Sequence, residues 1–247
     1  MNQYMNSYNK IGQAIILCGG KGTRLSSISG DNIPKSLIKI GKYPFIYYLI
    51  NQIYSLGIKR IILCTGYLSE LIYLDLNNFN SRNNNIFEFV FSNEDTPLGT
   101  AGALINAFPL LKNHSSIIFN GDTYIKGNLN SYINKETSSN ISILTSFKYF
   151  SKDFGVTYCN KDSLLEKFSE KKISFFNYVY AGVSIINNNL LDCKLNYSLI
   201  NIEDFYFKNN SLNINVYKSN FTFIDIGTKK NYINSKNYFN SLKLTYF

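Results

Sequence analysis

Residues 13–25 read QAIILCGGKGTRL, an apolar run that leads directly into Gly19, Gly20 and Gly22 and then Thr23 and Arg24. A loop leaving a buried strand can turn its backbone N–H groups toward an anion if no side chain holds the anion away, and glycines remove that obstacle. Arg24 adds a planar, permanently charged fork suited to bidentate phosphate contact, and Thr23 adds a hydroxyl donor. The spacing is not the GxxxxGK[ST] of a P-loop. It is also short of a full GxGxxG, because Leu25 stands where the third glycine belongs. A glycine turn that binds nothing is the competing reading. Lys35 follows Pro34 in NIPKSL, a cation fixed behind a rigid residue and a good counter-charge for a phosphate.

Two carboxylates stand out further along. Asp122 closes SIIFNGD, where Gly121 gives clearance at the end of an apolar run, and Asp225 is isolated between apolar residues in TFIDIG. A carboxylate in such a setting is costly to bury without a partner, and magnesium favours one or two carboxylates together with phosphate oxygens and water. Taken singly, Asp122 reads equally as a turn or helix cap and Asp225 as a structural hydrogen-bond acceptor. In TPLGTAGAL, Gly99 and Gly102 permit close backbone approach to a flat base, with Thr100 as a plain helix N-cap in the alternative account. The single histidine, His114 in LLKNHSS, reads as a helix-end or surface residue, so chemistry that needs a histidine base is poorly supported.

The elements that must position these residues alternate two periods. QAIILC (13–18), RIILCT (60–65), IFEFVF (86–91), SIIFN (116–120) and ISILTSF (141–147) read as strands. PFIYYLINQIYSLG (44–57), YLSELIYLDL (67–76) and TAGALINAFPLLK (100–112) space their apolar residues as helices do. This rhythm predicts an α/β fold with an open, mostly parallel, doubly wound sheet, whose ligands sit beyond the carboxyl ends of the strands. After about residue 150 the order loosens. Strands are expected at 178–187, 213–217 and 221–227, with a closing helix over 229–243 and a small extension folded onto the sheet. Residues 1–12 are expected to form a loose tail and 13–247 a single domain.

Composition excludes several classes. The chain has 247 residues, 45% of them hydrophobic, but no run near the roughly 18–20 apolar residues that a bilayer crossing needs, and its first residues are polar. A soluble, cytoplasmic protein with no membrane partner is expected. Cys18, Cys64, Cys159 and Cys193 show no CxxC or Cys/His pairing, which argues against zinc or a redox dithiol. The net charge of +9 comes mostly from singly scattered lysines, and no RNP1-like aromatic pattern accompanies them, so no nucleic-acid partner is expected.

Taken together, CGGKGTRL, PKSL, EDTPLGTAGAL (94–104), NGDT (120–123), FSEKK (168–172), YAGVSII (180–186) and IDIG (224–227) resemble, in order, the motifs of the sugar-1-phosphate nucleotidyltransferases. The resemblance covers about residues 13–240. It implies a Rossmann-like nucleotidyltransferase fold, with a mostly parallel central sheet flanked by helices and a small sugar-binding extension. It also implies that Gly19, Gly20, Gly22, Thr23 and Arg24 bind the triphosphate, that Lys35 contacts the phosphates during transfer, and that Asp122 and Asp225 hold Mg2+. Glu94, Leu98, Gly99 and Thr100 would flank the nucleobase, Gly155 would meet sugar hydroxyls, and Glu170 with Lys171 the sugar phosphate. Tyr180 departs from the pattern, since the family often has Asn before this Ala-Gly pair, and that alters one sugar contact.

The implied reaction is attack by the phosphate oxygen of a sugar 1-phosphate on the α-phosphorus of a nucleoside triphosphate, releasing pyrophosphate. The nucleophile arrives ionised, which agrees with a chain that offers no histidine base. Within the family the motifs are most similar to those of D-glycero-D-manno-heptose 1-phosphate guanylyltransferases of bacterial surface polysaccharide synthesis. Mannose-1-phosphate guanylyltransferases and glucose-1-phosphate cytidylyltransferases or thymidylyltransferases are close alternatives, and self-association into a homo-oligomer is left open. A non-catalytic nucleotide-sugar-binding regulatory subunit should lack Arg24, Lys35, Asp122 or Asp225, yet all four are present. A Rossmann dehydrogenase is disfavoured by the missing glycine and by the lack of an acidic residue in RIILCTGY.

Overall fold

The computed structural model describes residues 11–29, 32–135, 139–151, 154–169, 174–192, 201 and 212–245. Glu170, Lys171, Cys193 and most of the expected tail lie outside the described residues. The chain runs through β1 (Gln13–Leu17), α1 (Ser26–Ser29), β2 (Lys39–Ile40), β3 (Tyr43–Pro44), α2 (Phe45–Ser55), β4 (Arg60–Thr65) and α3 (Ser69–Arg82). It continues with β5 (Glu88–Asn93), α4 (Gly99–Ala107), β6 (Ser115–Asn120), β7 (Thr123–Lys126), α5 (Asn130–Ile133), β8 (Ile141–Ser151), β9 (Val156–Cys159) and β10 (Leu165–Ser169). Last come β11 (Ser174–Asn187), β12 (Ile214–Ser219), β13 (Thr222–Asp225) and α6 (Lys229–Ser241).

Four strands form the parallel centre in the order β5-β4-β1-β6, with Ile15 level with both Ile62 and Ile118. Residues on both faces of these strands are apolar, as a sheet covered by helices on each side requires. Ile16, Ile61, Leu63 and Phe119 pack toward α2 and α3, through Phe45, Leu49, Ile53, Ile72, Leu76 and Phe79. Ile15, Ile62, Cys64 and Ile118 pack on the other face against Ala101, Leu104 and Ala107 of α4.

Beyond β6 the sheet turns mixed. β11 runs antiparallel to both β6 and β8, and β12 is parallel to β8. Only the last residues of β11 pair with β6, whereas its first half runs past the carboxyl end of β6 and pairs there with β9, which carries β10. The extension expected from the sequence is therefore a β9–β10 hairpin standing over the end of the sheet where the parallel strands finish. A separate two-stranded ribbon, β7 with β13, pairs Thr123 with Asp225.

Several boundaries differ from the expected ones. The helix expected at 67–76 continues to Arg82, because Ile72, Leu76 and Phe79 maintain the buried stripe through an otherwise polar segment. The helix expected at 100–112 ends at Ala107 and tightens into a 3-10 turn at Phe108–Leu110, where Pro109 cannot donate a helical hydrogen bond. His114 thus lies beyond the helical turns and directly before β6, exposed, with its carbonyl accepting the Asn188 N–H at 2.8 Å. Leu98 holds the N-cap position of α4, so Thr100 sits inside the first turn and is not the cap.

Candidate active site

The chain passes from β1 outward to β4 and β5, then returns to β6 on the other side of β1. The connections that follow β1 and β6 therefore separate, and a crevice opens between their carboxyl ends. A cavity of about 320 Å³ occupies it, lined by Leu17, Cys18, Gly20, Gly22, Thr23 and Arg24 after β1, by Lys35 and Ser36, by Thr100 of α4, and by Asn120–Asp122 and Gly227. The expected residues Gly20, Gly22, Thr23, Arg24, Lys35, Thr100 and Asp122 converge here.

Gly22 shows why the loop needs a glycine. Its φ of 63° lies in the left-handed region, and a Cβ would stand 2.9 Å from the Cβ of Lys35. Lys35 begins a 3-10 turn behind Pro34, whose extended backbone aims the lysine back across the loop. Its ammonium donates to the Asp122 carboxylate. The two aspartates, distant in sequence, are brought together by the β7–β13 ribbon. Asp122 precedes β7, Asp225 ends β13, and the Ile226 N–H donates to the Asp122 carbonyl at 2.9 Å. Gly227 marks the meeting point: a Cβ there would stand 2.7 Å from Asp225 Oδ1 and 3.3 Å from both Asp122 Oδ2 and Lys35 Nζ. Burial, and then the Asp122 charge, raise the Asp225 carboxyl above its ordinary range, while the Gly227 N–H, Lys35 and Arg24 pull it back down.

Gly19, Glu94, Leu98, Gly99 and Asp225 do not line this cavity; Asp225, though beside Asp122, lines a second cavity with Phe154, Phe223 and Tyr238. The Glu94 carboxylate accepts the Leu98 N–H at 3.1 Å and presses on Gly19 and Gly66, while the Gly19 carbonyl accepts the Tyr67 N–H at 3.1 Å. Glu94 thus bonds the start of α4 and leaves no room for a side chain at Gly19. Gly155 also stays off the cavity wall. The Phe168 ring packs where its side chain would be, and its carbonyl accepts the Tyr180 N–H at 3.2 Å. Tyr180 is buried against the α4 side of the sheet. Sequence reasoning missed Ser36, Asn120 and Gly227 as cavity residues, although each adjoins or lies close to a residue it selected. Cys18 lines the cavity too, but burial and the Glu94 charge push its thiol to about 12, so it is no thiolate nucleophile.

A doubly covered parallel sheet with glycine amides, an arginine, a lysine and paired carboxylates at its switch point defines a Rossmann-like fold that handles phosphorylated nucleotides. The nucleotidyl transferase family profile matches residues 13–241, and the chain belongs to that family, the sugar-1-phosphate nucleotidyltransferases whose motifs its sequence resembles. D-glycero-alpha-D-manno-heptose 1-phosphate guanylyltransferase of Aneurinibacillus thermoaerophilus is 31% identical over 224 residues, which cover 89% of this chain and 95% of that protein. Mannose-1-phosphate guanyltransferase of Schizosaccharomyces pombe is 32% identical over 188 residues, 73% of this chain and 51% of that protein. The crystal structure of HddC from Yersinia pseudotuberculosis complexed with GMP-PN superposes with a TM-score of 0.80 at 27% identity, covering 93% of this chain and all of that one.

Proposed function

We propose that the chain transfers the guanylyl group of GTP to the phosphate of D-glycero-α-D-manno-heptose 1-phosphate. The products are GDP-heptose and pyrophosphate, and the reaction serves cytoplasmic synthesis of a bacterial surface polysaccharide. The observation that carries this reading is extent. The heptose relative is matched over 95% of its length, whereas the mannose relative is matched over 51% of its length. The likeness to HddC complexed with GMP-PN supports guanine as the base.

The residues fit Mg2+ on chemical grounds. Asp122 and Asp225 are hard oxygen donors meeting at Gly227, where burial and then the Asp122 charge raise the Asp225 carboxyl and the Gly227 N–H, Lys35 and Arg24 offset this locally. Asp122 and Asp225 would hold the ion, which supplies positive charge to phosphate oxygens during transfer. The amides of the Gly20–Gly22 loop and the Arg24 guanidinium bind the triphosphate. Lys35 Nζ, bonded to Asp122 at the cavity wall, neutralises charge at the reacting phosphates. No side chain has to remove a proton, because the attacking phosphate oxygen is already ionised. What the site contributes is alignment of two polyanions that otherwise repel.

A pyrophosphate-release screen that crosses GTP, CTP, UTP and dTTP with heptose, mannose and glucose 1-phosphates tests the proposal. The highest kcat/KM is expected for GTP with the heptose, lost in EDTA and restored by Mg2+. A higher value for mannose 1-phosphate or another nucleotide overturns the assigned pair. No turnover anywhere in the matrix favours a non-catalytic binding protein.

A further inference from the structure

The outermost strands β10 and β5 of the central sheet are finished in opposite ways. The pairing of β10 with β9 slips between Leu165 and Lys167, and Glu166 and Lys167 stand exposed on it. Bulges and charges of this kind keep an outermost strand from pairing with another chain. β5 has neither device. It pairs with β4 in unbroken register from Glu88 to Asn93, and its outer side meets no strand among the described residues. Its middle residues Phe89, Val90 and Phe91 are apolar and only half-buried. The helix above is equally bare. Seven large apolar side chains are exposed among the described residues, and three of them, Leu71, Tyr73 and Leu74, fall within about one turn of α3. The Tyr73 ring meets Phe91 edge to face with centroids 5.0 Å apart, so this turn stands over β5. A hollow of about 380 Å³ opens beside it, with Tyr73, Leu74 and Phe91 on its walls and Glu70 as its only charged group.

A projecting apolar turn and a hollow on the same face are what a two-fold contact needs, because each copy must present both. The strand meets the same condition. β5 can pair antiparallel with its own copy, so that the two exchange N–H and C=O bonds and the sheets run on as one. Both α3 helices then lie on one face of the joined sheet and run antiparallel beside each other. Charge does not oppose the contact: between Arg60 and Lys112 only Arg82 is basic, so the lysines behind the net charge of +9 lie elsewhere in the chain. We propose that β5 and α3 form the interface of a homodimer, in which Leu74 of each copy enters the hollow of the other. The proposal goes beyond the reaction assigned above and does not depend on it.

Sedimentation velocity from about 1 to 100 μM tests it, with hydrogen exchange of the β5 amides alongside. A species of twice the 28.3 kDa chain is expected at the upper end. The Leu74 side chain is 57% exposed, so Leu74→Lys should keep the circular dichroism of the parent. It should raise the dissociation constant at least about tenfold, as loss of a buried leucine from each copy predicts, and speed exchange at Phe89–Phe91. Ile233→Lys is the control, because Ile233 is 52% exposed on α6, which packs on β2 and β13. It should leave the dissociation constant within about twofold of the parent. A parent that is monomeric throughout overturns the proposal and would assign this face to an unlike chain. A dimer that Leu74→Lys leaves intact overturns it too, as does one that both lysine variants weaken alike. A dimer whose β5 amides exchange no more slowly in the parent than in Leu74→Lys overturns the strand pairing.

Discussion

The same four parallel strands end very differently at their two edges. At the amino end, Gln13, Arg60 and Ser116 are buried and form a closed circuit. Gln13 Nε2 donates to Ser116 Oγ at 2.9 Å, Ser116 Oγ donates to Asn188 Oδ1 at 2.9 Å, and Gln13 Oε1 accepts from Arg60 Nε at 3.3 Å and from the Lys112 N–H at 3.2 Å. Arg60 also donates to Glu88 and, at 2.7 Å, to the Leu110 carbonyl. At the carboxyl end, two carboxylates crowd each other, Asn120 and Ser36 keep buried oxygens without partners among the described residues, and a cavity remains. One edge has spent its polar groups on itself. The other leaves them facing a cavity, where the geometry of parallel sheets leads one to expect a ligand.

The sharpest way to break this contrast is to remove the carboxylates. Asp122→Ala and Asp225→Ala are each expected to lower kcat by about a thousandfold if, as proposed, the charge they organise acts on the transferring phosphoryl group. Both variants should keep the far-ultraviolet circular dichroism of the parent. Asp225→Asn should raise the melting temperature in EDTA, since it removes a charge that burial and Asp122 disfavour. Parental turnover at saturating Mg2+ in either alanine variant would exclude the pair from catalysis.

Arg24→Ala should act less severely and on one substrate. Arg24 is exposed on the loop after β1 and lines the cavity, so its loss removes a counter-charge without opening the core. Affinity for GTP, measured by calorimetry with a non-hydrolysable analogue, is expected to fall about tenfold or more, with a smaller effect on the sugar phosphate. Equal weakening of both substrates would mean that the loop does not discriminate between the two polyanions.

Much of the carboxyl edge was legible in the sequence because glycines and charged residues cluster there directly after apolar runs. GGKGTRL and PK set glycines beside isolated cations, and the structure draws Gly22, Arg24 and Lys35 to one cavity wall. The β-α rhythm up to β6 was legible for the same kind of reason: long apolar runs separated by amphipathic stripes leave little choice of layer. The β9–β10 hairpin was not, because LEKFS is mostly polar and short, and its strand character comes from pairing with β9. The β7–β13 ribbon was missed likewise, since TYIK becomes a strand only through its partner TFID far along the chain. Asn120 and Ser36 fall inside NGDT and PKSL, but neither residue type by itself marks a role; burial without a partner among the described residues distinguishes them. The amino-edge circuit was equally silent, because Gln13 and Arg60 read as strand boundaries until the fold brings Ser116 and Leu110 to them.

The amino edge should respond in stability and not in catalysis. Arg60→Met deprives the Leu110 carbonyl and Gln13 of a buried donor, which should cost about 1–3 kcal/mol by urea denaturation while leaving kcat/KM at 25 °C unchanged. Glu88→Gln is the smallest change. The Glu88 side chain is 52% exposed, so its pairing with Lys112 and Arg60 is screened by solvent and should be worth less than about 1 kcal/mol, falling further with salt. The Lys112 hydrogen bond, and then the Arg60 charge, hold the Glu88 carboxyl below its ordinary range. Its contribution is therefore present above the unfolded carboxyl value and lost as pH falls through the lowered one. The melting-temperature gap between parent and Glu88→Gln should be open at neutral pH and close in acid. A gap that instead widens in acid would mean the charged carboxylate is not what Lys112 and Arg60 hold, and the amino edge would not be the closed circuit its hydrogen bonds describe.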